Sequence, residues 1–344
     1  MTERPWLATY RECDIAAEIN PDAYPSVVHM LERAMTVHAE KPAFRSFGQT
    51  LTYAEVDRQS RNFASYLQTK LGVKKGDRIA VMMPNLLAFP IAFLGIIRAG
   101  GVQVNVNPLY TPRELEHQLR DAGVKIMVVF TGSSATVAEI MAATPLETVI
   151  IAGPGDGSGQ RLPSPPVDER LKGAVALADA LVEGAALAFE PVDLKGDDLL
   201  FLQYTGGTTG LSKGAALSHR NLVSNTEQFK AAMSGAPPSG DDVIVTAIPL
   251  YHIFALMVNF VTYFSVGADN WLVANPRDMH SFIQTLKQAK PTAFMGVNTL
   301  YAALVAHPRI TEVDFSNLRL SGGRGRSDRS YFGKVAANHR SDHP

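Results

Sequence analysis

Residues 78–130 read RIAVMMPNLLAFPIAFLGIIRAGGVQVNVNPLYTPRELEHQLRDAGVKIMVVF. Three short apolar runs, 78–83, 102–106 and 125–130, alternate with two segments long enough for helices, so the pattern predicts strand, helix, strand, helix, strand. Thr111 and Glu114 form a capping box with Pro112 at the first helical position, and Gly123 supplies the stop. Strands joined through helices of this length run parallel and are covered on both faces. Working outward, Thr52 and Glu55 make a second capping box for a helix that passes Phe63 and Leu67 and ends at Gly72. Residues 153–166, GPGDGSGQRLPSPP, read as a surface loop. A helix is expected over 177–187 and a strand over 199–203. The expected fold is α/β, with two subdomains on mostly parallel sheets flanked by helices. The first spans 1–198 and the second 199–321.

The chain has 344 residues, 46% of them hydrophobic, enough for a sizeable core. A formal net charge of -1 gives no overall attraction to nucleic acid or acidic lipid. The single cysteine, Cys13, forms no internal disulfide, and the polar N-terminus MTERPWLATYRECD has no signal-peptide core, which together point to the cytoplasm. Residues 86–97 are the most apolar stretch, but Pro90, Gly95 and the following Arg98 leave them short of the ~20 residues a membrane span needs; a buried helix is expected there. Nine histidines show no metal-ligand spacing. Trp271 lines a pocket or fills the core, and the core is the simpler expectation.

Residues 204–214 read YTGGTTGLSKG. Four glycines, three threonines, one serine and one lysine, all directly after a strand, suit a polyphosphate: glycines let backbone N–H groups approach, hydroxyls donate, and Lys213 adds a point charge. A P-loop would need glycine before the lysine and a hydroxyl after it; here Ser212 precedes and Gly214 follows.

The order T-G-G-T-T-G-x-x-K-G resembles the signature loop of the adenylate-forming superfamily, which includes acyl-CoA synthetases, luciferases and peptide-synthetase adenylation domains. Residues 84–118, LSHRNLVSN at 217–225, PLYHIFAL at 249–256 and GVNTLYAAL at 296–304 are similar to the bacterial long-chain fatty acid:CoA ligase branch. The resemblance runs from about Tyr10 to Ser321. It implies ATP-dependent activation of a fatty acid to an acyl adenylate, then transfer of the acyl group to CoA, with magnesium at the phosphates. Thr205, Gly206, Gly207, Thr208, Thr209, Gly210 and Lys213 would enclose the β- and γ-phosphates, with Thr205 also at the metal. Tyr251 and His252 would border the acyl adenylate, the histidine near the reacting carboxylate; the bland alternative is a histidine satisfied at a helix start. Gly296, Val297, Asn298 and Thr299 would lie along the acyl pocket, although core packing explains the apolar positions equally well. A poorly soluble substrate leaves room for peripheral contact with the inner face of the cell membrane.

After Ser321 the chain reads GGRGRSDRSYFGKVAANHRSDHP and its periodicity ends. A basic tail or a shifted reading frame explains this, and the abruptness favours the frameshift. On that reading the C-terminal domain with most of the CoA site is absent, the second sheet ends on an open edge, and residual ligase activity is low or absent. Alternatives are an aryl- or medium-chain acyl:CoA ligase, and a non-catalytic remnant or nucleotide-binding fragment.

Overall fold

The computed structural model describes residues 4–205 and 212–324. Among the described residues thirteen strands make two sheets. The strands are β1 (Pro42–Ser46), β2 (Gln49–Thr52), β3 (Arg78–Met82), β4 (Val102–Asn105), β5 (Ile126–Phe130), β6 (Thr148–Ala152), β7 (Val175–Ala176), β8 (Leu199–Thr205), β9 (Lys213–Ser218), β10 (Val243–Thr246), β11 (Asp269–Leu272), β12 (Ala293–Val297) and β13 (Leu320–Arg324). The first sheet runs β7-β6-β5-β3-β4-β8-β9, parallel except for the β8–β9 hairpin. The second runs β13-β12-β10-β11-β1-β2, parallel except for the β1–β2 hairpin.

Two-faced burial explains the layering. Along β3, Ile79 and Val81 enter the central core, while Ala80 and Met82 enter an outer one. Along β12, Ala293 and Met295 face the central core and Phe294 the other outer one. The central core holds the helices Val27–Val37, Tyr53–Thr69 and Ala88–Arg98 together with a π-helical run, Leu256–Thr262. The result is a helix-sheet-helix-sheet-helix stack, as expected for strands apolar on both faces. Phe93 carries ring contacts across it to Phe201 and Phe260, at centroid separations of 5.4 and 5.2 Å, and Phe260 continues to Phe44 at 5.0 Å.

The helix signals behave as their chemistry dictates. Both capping boxes form: Thr52 Oγ1 accepts from the Glu55 N–H and Thr111 Oγ1 from the Glu114 N–H, each glutamate accepting in return from the cap residue's backbone. Gly123 is left-handed, with φ 63°. Ala88–Arg98 is buried at every position, and among the described residues no helix is long and apolar enough to cross a membrane.

Three expectations need correction and one, the 153–166 loop, is refined. A division at residue 199 does not follow the sheets: β8 and β9 complete the first sheet, and β1 and β2, from the first fifth of the chain, complete the second. Strand pairing decides sheet membership, and sequence order does not reveal it. The 153–166 segment is a surface loop as expected, with one packed point: Gly155 is buried, and the Gly157 carbonyl accepts from Gln59 Nε2 at 2.7 Å. Gly157 sits at φ 91°, where a Cβ would stand 2.4 Å from Ile91 Cδ1, so glycine is required. Trp271 is only partly buried; it lines a groove of about 490 Å³ between the β1–β2 hairpin and the helix Met279–Ala289, with the Arg45 guanidinium 5.2 Å from its ring. Finally, order does not stop at Ser321. Gly322, Gly323 and Arg324 pair with Met295, Gly296 and Val297, because glycines without side chains admit close parallel pairing even where periodicity is lost. The rest of the tail, from residue 325, lies outside the described residues, and β13 stands at one edge of its sheet.

His219, which begins the helix His219–Ala232, is buried, and its Nδ1 accepts the Val27 N–H at 3.2 Å. Burial, more than any neighbouring charge, lowers its pKa to about 4. The unfolded chain binds this proton below its ordinary value and the folded chain does not, so stability falls as pH falls through 6.5 toward 4. Lowering the pH from 7 to 5 should cost about 2 kcal/mol through this group. Urea titrations of the wild type and His219→Asn at both pH values check this; an equal pH dependence in the two would remove His219 as the cause.

Candidate active site

The glycine-rich segment connects β8 to β9. Residues 206–211, including Gly206, Gly207, Thr208, Thr209 and Gly210, lie outside the described residues, but both flanks are placed. Thr205 and Lys213 are directly paired across the hairpin, so their side chains project from the same face. Both are exposed. Among the described residues Lys213 has no recorded ion pair. The hairpin is held from behind: the Tyr204 hydroxyl donates to Asp121 Oδ2, and His117 Nε2 lies 3.0 Å from the Ser212 carbonyl. Both partners belong to the helix Pro112–Ala122. Burial and the Asp121 carboxylate raise the Tyr204 phenol's pKa far above its ordinary value, keeping it a donor.

Side chains alternate along β8. Phe201 enters the central core, whereas Leu202 and Tyr204 meet the outer one. Gln203 and Thr205 therefore share the inward face, toward the second sheet. There Gln203 Nε2 donates to the Tyr251 carbonyl at 3.2 Å. This contact brings the segment after β10 beside the phosphate-loop flank. Tyr251 is nearly buried; its ring centroid is 4.7 Å from that of the exposed His252, inclined at 45°. His252 stands at the N-cap of the short helix Ile253–Ala255, and its side chain makes no capping bond to it. Burial first, then Tyr110, raises the Tyr251 phenol's pKa, against the opposing charge of Arg277. Tyr110 and Arg277 are thus neighbours of the site that sequence reasoning passed over.

Gly296 and Val297 end β12, which is parallel and adjacent to β10, so they share the carboxyl edge from which Tyr251 and His252 emerge. Asn298 and Thr299 open the helix Asn298–Ala306 and are exposed. Gly296 has a packing reason of its own: a Cβ there would stand 2.6 Å from the Tyr301 ring. Tyr301 in turn donates its hydroxyl to the Phe294 carbonyl at 3.0 Å and lies 2.9 Å from the Gly322 carbonyl. Small size at 296 is thus used by Tyr301.

Among the described residues no group of three or more His, Cys, Asp or Glu could hold a metal ion. A divalent cation would enter with the phosphates, and the Thr205 hydroxyl is a hard oxygen ligand of the kind magnesium accepts.

The segments bearing Tyr251, His252 and Gly296–Thr299 leave the carboxyl ends of parallel strands, which is where open α/β sheets bind ligands. The chain belongs to the AMP-binding enzyme family, whose sequence pattern matches residues 31–329. It is 42% identical over 334 residues to a long-chain-fatty-acid--CoA ligase of Salmonella typhimurium (strain LT2), with 94% of this chain aligned. It is 43% identical over 337 residues to the enzyme of that name from Yersinia pestis, again over 94% of the chain. The chain spans 59% of the length of each of these relatives. An anthranilate CoA ligase solved in complex with anthranoyl-AMP superposes with a TM-score of 0.79 at 22% identity, covering 92% of this chain and 60% of that one, which shows a shared fold.

Proposed function

We propose that this chain carries the nucleotide and acyl sites of an ATP-dependent long-chain fatty acid:CoA ligase. The supporting observation is the convergence of two separate segments on one face: Thr205 and Lys213 flanking the glycine-rich loop, and Tyr251–His252 held to the same strand through Gln203. In the proposed reaction the fatty carboxylate attacks the α-phosphate of ATP and pyrophosphate leaves. The CoA thiol then displaces AMP from the acyl adenylate. Such phosphoryl chemistry rests on positioning and charge stabilisation, which need no nucleophilic side chain.

Thr205 and Lys213, with Gly206, Gly207, Thr208, Thr209 and Gly210 between them, bind the β- and γ-phosphates. Magnesium, where bound, would neutralise phosphate charge, and Thr205 is the residue of this chain that would help hold it. His252 orients the acyl carbonyl, and Tyr251 forms the wall behind it. Gly296, Val297, Asn298 and Thr299 border the alkyl path. The fatty substrate is favoured over an aromatic one by the identity of 42–43% to long-chain relatives.

Calorimetric titration with non-hydrolysable acyl sulfamoyl-adenosines tests the reading. A long alkyl analogue should bind more tightly than a benzoyl one, and His252→Ala should weaken the alkyl analogue about tenfold. Failure of both analogues to bind would sink the assignment; tighter benzoyl binding would replace the fatty acid by an aromatic substrate.

A further inference from the structure

Three amide side chains form a directed line across the first sheet. Gln103 Nε2 donates to Asn105 Oδ1 at 2.7 Å, Asn105 Nδ2 donates to Gln203 Oε1 at 2.8 Å, and Gln203 Nε2 donates to the Tyr251 carbonyl at 3.2 Å. All three side chains are buried. Asn105 and Gln203 are paired residues on adjacent strands, and Gln103 lies two residues before Asn105 on the same face. A second amide comes from the turn after β3. Buried Asn85 donates through Nδ2 to the carbonyls of Thr246 and Ile248, at 3.0 and 3.1 Å, and its Oδ1 accepts the Leu250 N–H at 2.8 Å.

Buried amides are costly unless bonded, and apolar residues would fill strands β4 and β8 at less cost. Here each amide donates to the next group toward one segment, 246–251, at the second sheet's carboxyl edge, with Gln203 Nε2 also lying 3.5 Å from the Tyr204 carbonyl. Successive donation in one direction polarises each bond and strengthens the last. The segment has no strand partner of its own at 248–251, so side chains supply the hydrogen bonds a ladder otherwise would.

We infer that Gln203 and Asn85 are positioning residues, which clamp the 246–251 segment to the first sheet and so hold His252 on the side of β8 that ends in Thr205, with Gln103 and Asn105 orienting Gln203. This rests on the assignment of His252 to the acyl-adenylate site. The clamp couples the acyl side of the cleft to the phosphate side through one strand: Gln203 and Thr205 are two residues apart on β8.

Hydrogen exchange resolved by peptide separates this from ordinary core packing, and it needs no ligand. In Gln203→Met, exchange over residues 250–254 should rise about tenfold, while strands β3 and β5 keep their protection. The same variant should bind an alkyl sulfamoyl-adenosine about tenfold more weakly with ATP affinity unchanged. Unchanged protection at 250–254, or a rise spread evenly over the first sheet, would overturn the clamp. Loss of analogue binding by the wild type alone would count against the proposed function and leave the exchange result to decide the clamp. If Gln203→Met does not fold, the wild type decides: the Leu250 amide should exchange as slowly as the amides of β3, and much faster exchange would overturn the inference.

Discussion

Replacing Thr205 and Lys213 together by alanine is expected to weaken ATP binding about 100-fold, on the basis of two charge-assisted contacts of about 1.5 kcal/mol each. The two residues are directly opposed at the mouth of the β8–β9 hairpin, where their exposed side chains rise on one face. The hairpin itself is held by Tyr204 to Asp121 and by His117 beside Ser212, neither of which the substitutions touch. A loss of affinity would therefore report phosphate contacts, with the scaffold intact. Titration calorimetry at two salt concentrations is the measurement. Removing the lysine charge should also flatten the dependence of affinity on ionic strength. ATP affinity unchanged in the double variant would remove the glycine-rich loop from the nucleotide site. The salt dependence separates charge from shape: equal salt slopes in wild type and variant would leave Lys213 without a phosphate partner.

Arg98→Met should destabilise the fold by about 3 kcal/mol. The Arg98 side chain is completely buried where three helices meet. Its Nε donates to Glu32 Oε1 at 3.1 Å, and its Nη1 donates to the Asp57 carbonyl and the Ser60 hydroxyl, each at 2.8 Å. Nη2 meets the Asp57 carboxylate. Two effects compete. Methionine avoids the desolvation of a guanidinium, which stabilises when a whole buried ion pair is replaced. Here the partners remain, and the Asp57 carbonyl and the Ser60 hydroxyl would be left beside an apolar side chain. Asp57 and Glu32 are about one-third exposed at 33% and 37%, so water can reach them and the cost stays near the lower end for a broken buried pair. Urea unfolding gives the value. A loss below about 1 kcal/mol, the range of exposed pairs, would show that the three helices are held by apolar packing alone.

The local chemistry of this protein was readable directly. Thr52, Glu55, Thr111, Glu114 and Gly123 form caps because their hydrogen-bonding groups act within three or four residues, and the apolar runs 78–83, 102–106 and 125–130 become parallel strands because helices between them force crossovers. The glycine-rich loop announced itself for the same reason: its glycines, hydroxyls and lysine are contiguous. A weaker signal was also present. Polar Gln103, Asn105 and Gln203 interrupt otherwise apolar strands, a pattern that marks either an error of assignment or a buried network, and here it is the network.

Tertiary structure decided the rest. Nothing local to β1, β2, β8 and β9 says that the first pair completes the later sheet and the second pair the earlier one, since strand partners are chosen by the packing of whole layers. The same holds for Gly296, whose missing side chain is taken up by the Tyr301 ring. It holds also for Asn85, 165 residues before the Leu250 amide it accepts. Sequence by itself determined the α/β class and the caps, because these depend on neighbours along the chain. The bond from Gln203 to the Tyr251 carbonyl joins segments distant in the chain, and only the folded layers bring those together.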